Sequence, residues 1–230
     1  MPEQWKSVID VDSRNSVPDW TPYEEPKAPE LMASPRPQPA PERNLFVYYP
    51  GTAPVPEGVA VNTRNRSYTI VADVGIPEGG AEGVLFAFGT RFGGHALYVK
   101  NNRLHYVYNY VGSLEQTVTS TEEIPSGRAT LSAAFNKERE EPRGTAHGAL
   151  TLYINDRKVG EEQIQTQPGK FGLAGAGLIV DRNSGEAVTN DYPGERPWSF
   201  TGTVHKIMVD VTGEPYIHHE KEAAAMMARE

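Results

Sequence analysis

Within DRNSGEAVTNDY, residues 181–192, oxygen donors recur at short spacing: Asp181, Asn183, Glu186, Asn190 and Asp191. Carboxylate and amide oxygens gathered on one loop are the ligands calcium prefers. The same residue types are ordinary turn formers, because Asp and Asn bond nearby backbone and tolerate a left-handed conformation. A structural loop is the plainer reading, and calcium is the one cofactor left open. A second constellation is LHYVYNYV, where period two places Tyr106, Tyr108 and Tyr110 on one face. Facing outward, such rings would stack on sugars. Facing inward, they are core, and their hydroxyls then need partners.

Other chemistries find less support. None of the histidines at 95, 105, 147, 205, 218 and 219 has a helical His-Glu-x-x-His partner, as a zinc hydrolase helix requires. No Gly-x-Ser-x-Gly elbow presents a nucleophilic serine. The acidic run KEREEP, 137–142, mixes signs between strand patterns and reads as a solvated loop rather than a glycosidase pair. GKFGLAGAGLIVDR has the glycines of a phosphate loop, but Leu178, Ile179 and Val180 continue as a strand, not a helix. With no cysteine, thiolate catalysis, cysteine-ligated metals and disulfides are excluded.

The elements that must position these residues are strands. RSYTIVADVGI alternates Tyr68, Ile70, Ala72 and Val74 on one face. EGVLFAFGT is apolar on both faces, the pattern of a central strand. GGHALYVKNNRLHYVYNYVG predicts a hairpin turning at Lys100-Asn101-Asn102-Arg103, and GALTLYINDRKVGE another at Asn155-Asp156-Arg157. Leu131, Ala133 and Phe135 share a face, as do Ile207, Val209 and Val211. Short strands between turn signals imply an all-β antiparallel sandwich over 44–217. Before it, residues 1–43 form a proline-rich extended arm, in which Trp20 and Tyr23 could dock on a partner. After it, 218–230 is Ala/Glu-rich and predicts a short helical tail.

A net charge of −8 argues against nucleic-acid binding and against adhesion to an anionic membrane. The sequence shows no apolar signal core and no run of about 18 apolar residues, so a cytoplasmic protein is expected.

Several consecutive phrases carry a resemblance. LFVYYPGTAPVPEGVAVNTRNRSYTIVADVGIP, GVLFAFGTRFGGHALYVKNNRLHYVYNYVG, GALTLYINDRKVG and FGLAGAGLIVDRNSGEAVTNDY followed by FTGTVHKIMVDVTG are similar to the C-terminal domain of large actinobacterial-type arylsulfatases. The likeness runs from about residue 43 to the end and implies a concanavalin-like or laminin-G-like jelly roll. DSRNSVPDWTPYEEPKAPE, at 12–30, resembles the arm that precedes the catalytic domain in those enzymes. Here the chain passes through LMASPRPQPAPERN straight to the C-terminal domain.

The sulfatase motif, a Cys or Ser followed by x-Pro-x-Arg, is absent, and SPRP at 34–37 has the wrong spacing. Without the formylglycine nucleophile and its metal, the family's hydrolysis has neither attacking group nor charge stabilisation. The resemblance therefore implies a non-catalytic accessory sandwich, whose partners would be a sulfatase catalytic domain or a second copy. A carbohydrate-binding module is the alternative reading, and a residual hydrolase the third.

Overall fold

The structure is a computed structural model and describes residues 43–141, 144–171 and 177–213. The expected arm, with Trp20 and Tyr23, and the expected C-terminal helix lie outside the described residues. The strands are β1 (Leu45–Tyr48), β2 (Val55–Pro56), β3 (Ser67–Ile76), β4 (Gly83–Thr90), β5 (Gly93–Lys100) and β6 (Arg103–Tyr110). They continue with β7 (Leu114–Glu123), β8 (Gly127–Glu140), β9 (Ala146–Ile154), β10 (Arg157–Thr166), β11 (Gly177–Val180) and β12 (Thr203–Thr212). They form two six-stranded sheets, β1-β12-β3-β8-β9-β10 and β2-β11-β4-β5-β6-β7, with every neighbouring pair antiparallel.

Alternation makes the first sheet one-sided. Its inner face is built from ladders such as Val209–Ile70–Ala133–Leu152 and Ile207–Ala72–Leu131–Ile154, all buried. Burying each large aliphatic side chain of these ladders contributes roughly 1.5–3 kcal/mol. The second sheet answers with Phe86–Leu97–Tyr106 and Phe88–His95–Tyr108. A bulge between Val84 and Phe86 lets Leu85 join the same core.

The hairpin turns fall where the sequence places them. Asn101 and Asn102 take φ of 51° and 54°, and Asn155 and Asp156 take 49° and 65°. These left-handed positions suit short polar side chains.

One lateral side of the sandwich is closed by side chains. The Gln116 amide acts as a strand segment, donating to Gln165 O (2.9 Å) and accepting from Gln165 N (2.8 Å). Thr121 Oγ1 donates to Val159 O at 3.0 Å. The edges β7 and β10 are thereby joined across the two sheets.

Candidate functional site

The loop 181–192 runs over the outer face of the second sheet. That face carries Val84, Ala87, Ala96, Tyr98, Val107 and Ile179, and the loop covers them with Val188 and Tyr192. The double-sided apolar pattern of β4 follows from this cover. Backbone bonds fasten the flap: Asn183 N donates to Pro197 O (2.8 Å), Phe200 N to Asp181 O (2.8 Å) and Val84 N to Trp198 O (2.9 Å).

The carboxylates of Asp181 and Asp191 are engaged within the fold. Asp181 accepts from Gly51 N at 2.7 Å and from Arg182 at 2.5 Å. Asp191 accepts from the Tyr98 hydroxyl at 2.8 Å and from Lys100 Nζ at 2.5 Å. Burial pushes the Asp191 carboxyl up, but Lys100 and Tyr98 outweigh it and hold the group below the usual carboxylate range. Asn183 Oδ1 takes the Gly185 amide in a local turn, while Asn190 is exposed. Each carboxylate is thus held by its own cationic and neutral donors. Among the described residues no three His, Asp or Glu side chains gather as metal ligands.

The expected sugar-stacking face is corrected for Tyr106 and Tyr108. Tyr106 and Tyr108 are buried in the core, and Tyr110 packs partly against it. Period two does place them together, but the shared face is the inner one. Their hydroxyls find internal partners: Tyr106 meets Tyr68 at 2.6 Å and His95 Nδ1 at 3.0 Å, Tyr108 accepts from Gln167 N at 2.9 Å, and Tyr110 meets Thr145 Oγ1 at 2.9 Å.

His95 is the buried group that sequence reading passed over. It lies among Tyr68, Phe86, Phe88, Tyr106, Tyr108 and Phe171, with ring centroids 5.3–5.9 Å away. Its Nε2 faces Thr63 Oγ1 at 3.4 Å. Burial lowers its pKa to about 3, so it is neutral across the physiological range. A cavity of about 20 Å³ beside Thr63 and Phe171 has room for a water but not for a substrate. The relay Thr63–His95–Tyr106–Tyr68 therefore satisfies polar atoms in the core and has no access to a reacting molecule. Parity gave the signal: His95 shares its strand face with Leu97 and Val99.

An exposed feature remains at the end of the sandwich where β4 turns to β5 and β6 to β7. Phe92 is 61% exposed, and Val111 and Leu114 are exposed beside it. The two turns abut: a Cβ added at Gly112 would sit 3.3 Å from Phe92 Cα. Val111 adopts φ 46°, a left-handed conformation that a β-branched residue rarely takes. Its amide donates to Gln167 Oε1 at 2.9 Å, and Gln167 is itself buried. Gly93 allows this approach, since a Cβ there would meet Gln167 Oε1 at 2.7 Å. Arg91 lies over the Phe92 ring at 4.8 Å and pairs with Glu186 at 3.0 Å. At the opposite end, an open groove of about 310 Å³ is lined by Gly75, Ile76, Pro77, Gly127, Thr201, Gly202 and Thr203, none of them titratable.

No protein-family model matches the chain, and no curated protein matches it. Among solved structures it is similar to the native heptameric SAP-like pentraxin from Limulus polyphemus, at 13% identity and a TM-score of 0.37, covering 79% of this chain and 81% of that one. It is also similar to domains LG4-5 of the mouse laminin alpha1 chain, at 11% identity and a TM-score of 0.39, covering 74% of this chain and 40% of that one. A third is the binding domain of botulinum neurotoxin DC, at 9% identity and a TM-score of 0.34, covering 72% of this chain and 36% of that one. The all-β antiparallel sandwich rests on this chain's own strand pairing, not on likenesses this distant.

Proposed function

We propose that the protein is a non-catalytic recognition sandwich that docks on a partner through the tip formed by Phe92, Val111 and Leu114. The single observation that carries this reading is the combination at that tip. Apolar side chains stand in solvent on two turns where polar residues are ordinary, and one of them is held in a strained conformation by the buried Gln167. The core histidine, meanwhile, is sealed, and the carboxylates of the flap are engaged in the fold. The sequence phrases that resemble the C-terminal domain of arylsulfatases name the partner for this reading, a sulfatase catalytic domain recognised in trans.

The test is biolayer interferometry against an isolated catalytic domain of an actinobacterial-type arylsulfatase. Micromolar association that is lost in a Phe92→Ser, Leu114→Ser variant is the expected result. Silence up to about 100 μM, a concentration above that of ordinary specific complexes, would sink the partner assignment. Turnover of a chromogenic aryl sulfate by the purified chain would sink the non-catalytic one.

A glycan-binding reading is favoured by the open groove beside Thr201 and Thr203. Its hydroxyls and glycine-lined backbone suit a small neutral ligand, and its lining lacks an acid or base to cleave one. Binding on a glycan array that Thr203→Val abolishes would select this reading, with Phe92 then free of any role.

A further inference from the structure

Among the described residues the strand β1 has one free side. Asn44 O accepts from Val211 N at 2.9 Å, so the even positions of β1 direct their backbone groups to β12. Within β1 the odd positions 45 and 47 then direct theirs away from it. β1 pairs with β12 alone among the described residues. The side chains at the same odd positions are exposed apolar groups, Leu45 at 51% and Val47 at 42%, followed just past the strand by Tyr49 at 58%. Even-numbered Phe46 and Tyr48 instead pack against the core. An unpaired ladder beneath exposed apolar side chains is a template for another strand.

The chemistry of that strand follows from the edge itself. RNLFVYYPG, residues 43–51, holds one cation and no anion in a chain of net charge −8, so two copies approach here without repulsion between carboxylates of the edge. In an antiparallel pairing centred on Val47, Val47 lies opposite the second copy's Val47, and Leu45 lies opposite its Tyr49. Every cross-strand pair on the exposed face is apolar against apolar, and the central 47–47 pair is a hydrogen-bonded one. The central 47–47 pair contributes two new ladder bonds, and the outward backbone groups of Leu45 extend the ladder on either side. The self-complementary register is what selects a second copy over an unrelated strand.

We infer that β1 is a homodimerisation edge, joining two copies into one continuous sheet about a two-fold axis at Val47. Sedimentation equilibrium of the full chain reads the association. Val47→Pro removes the outward N–H while leaving the bonds to β12, since proline is tolerated on edge strands. It should raise the dimer dissociation constant about tenfold or more, through the two central bonds it deletes. The chain has no cysteine, so Val47→Cys introduces a single thiol. Paired Cα atoms about 5.5 Å apart permit a disulfide. Mild oxidation should therefore link Val47→Cys into a covalent dimer. It should leave Leu45→Cys unlinked, because its two thiols lie more than about 13 Å apart along the strands. A wild-type monomer at all concentrations, a dimer indifferent to Val47→Pro, or Leu45→Cys linking faster than Val47→Cys would each overturn the inference.

Discussion

Stability should respond to pH through His95. Its native pKa is about 3, because burial among six aromatic rings leaves the imidazolium without hydration. In the unfolded chain the ring takes the ordinary value near 6.5. The native pKa is depressed, so the unfolded state binds the extra proton. The contribution is fully present above pH 6.5 and is lost as pH falls towards 3. Integrating the linkage relation for one proton gives a loss of about 2 kcal/mol between pH 7 and pH 5, and a limiting slope near 1.4 kcal/mol per pH unit. The assay is urea unfolding at pH 7, 6 and 5, for the wild type and for His95→Gln, which keeps a hydrogen-bonding side chain but does not titrate. The lowered carboxyls of Asp73, Glu140, Glu161 and Asp191, and the lowered His105, are present in both proteins and cancel in the difference. If the two proteins lose stability in parallel from pH 7 to pH 5, His95 is not a dry, neutral group and the account of the core relay is wrong.

Two further outcomes follow from the same geometry. Tyr106→Phe strips partners from both the Tyr68 hydroxyl and His95 Nδ1, and should cost about 2–4 kcal/mol in urea unfolding. Adding Tyr68→Phe should then recover part of that loss, and a simply additive loss would refute the relay. Val111→Asn places a residue tolerant of left-handed backbone at φ 46° and should stabilise the fold by about 1 kcal/mol in thermal unfolding, with partner binding weakened. A lowered midpoint would show that Val111 is not strained.

Most of the fold was legible because period two is strict in a one-sided sheet. Tyr68, Ile70, Ala72 and Val74 alternate in sequence, and all four are buried. Asn101-Asn102 and Asn155-Asp156 marked their turns through the one property that sets Asn and Asp apart, tolerance of positive φ. The site was less legible, for a physical reason. Alternation says that residues share a face but not which face is wet. In β6 both faces are covered, one by the opposing sheet and one in part by the flap, so Tyr106 and Tyr108 read equally well as a platform or as core. The flap raised the converse problem. Asp181 and Asp191 have the composition of a calcium loop, but their partners Gly51 and Lys100 come from distant positions that local spacing does not encode. The exposed Phe92 and the strained Val111 left no signal, since each depends on a turn conformation, that of Val111 held by Gln167 far along the chain.

The stitch between Gln116 and Gln165 has a consequence for how far association can proceed. It spends the edges β7 and β10 on each other, and β2 is two residues long with Pro56 as one of them. Among the described strands, β1 is left as the open ladder of useful length, so edge pairing has a valence of one. A fibre needs two such edges per molecule, one to receive and one to extend. With β1 as the inferred dimer edge, the first union uses up the one open ladder among the described strands, and growth stops at two.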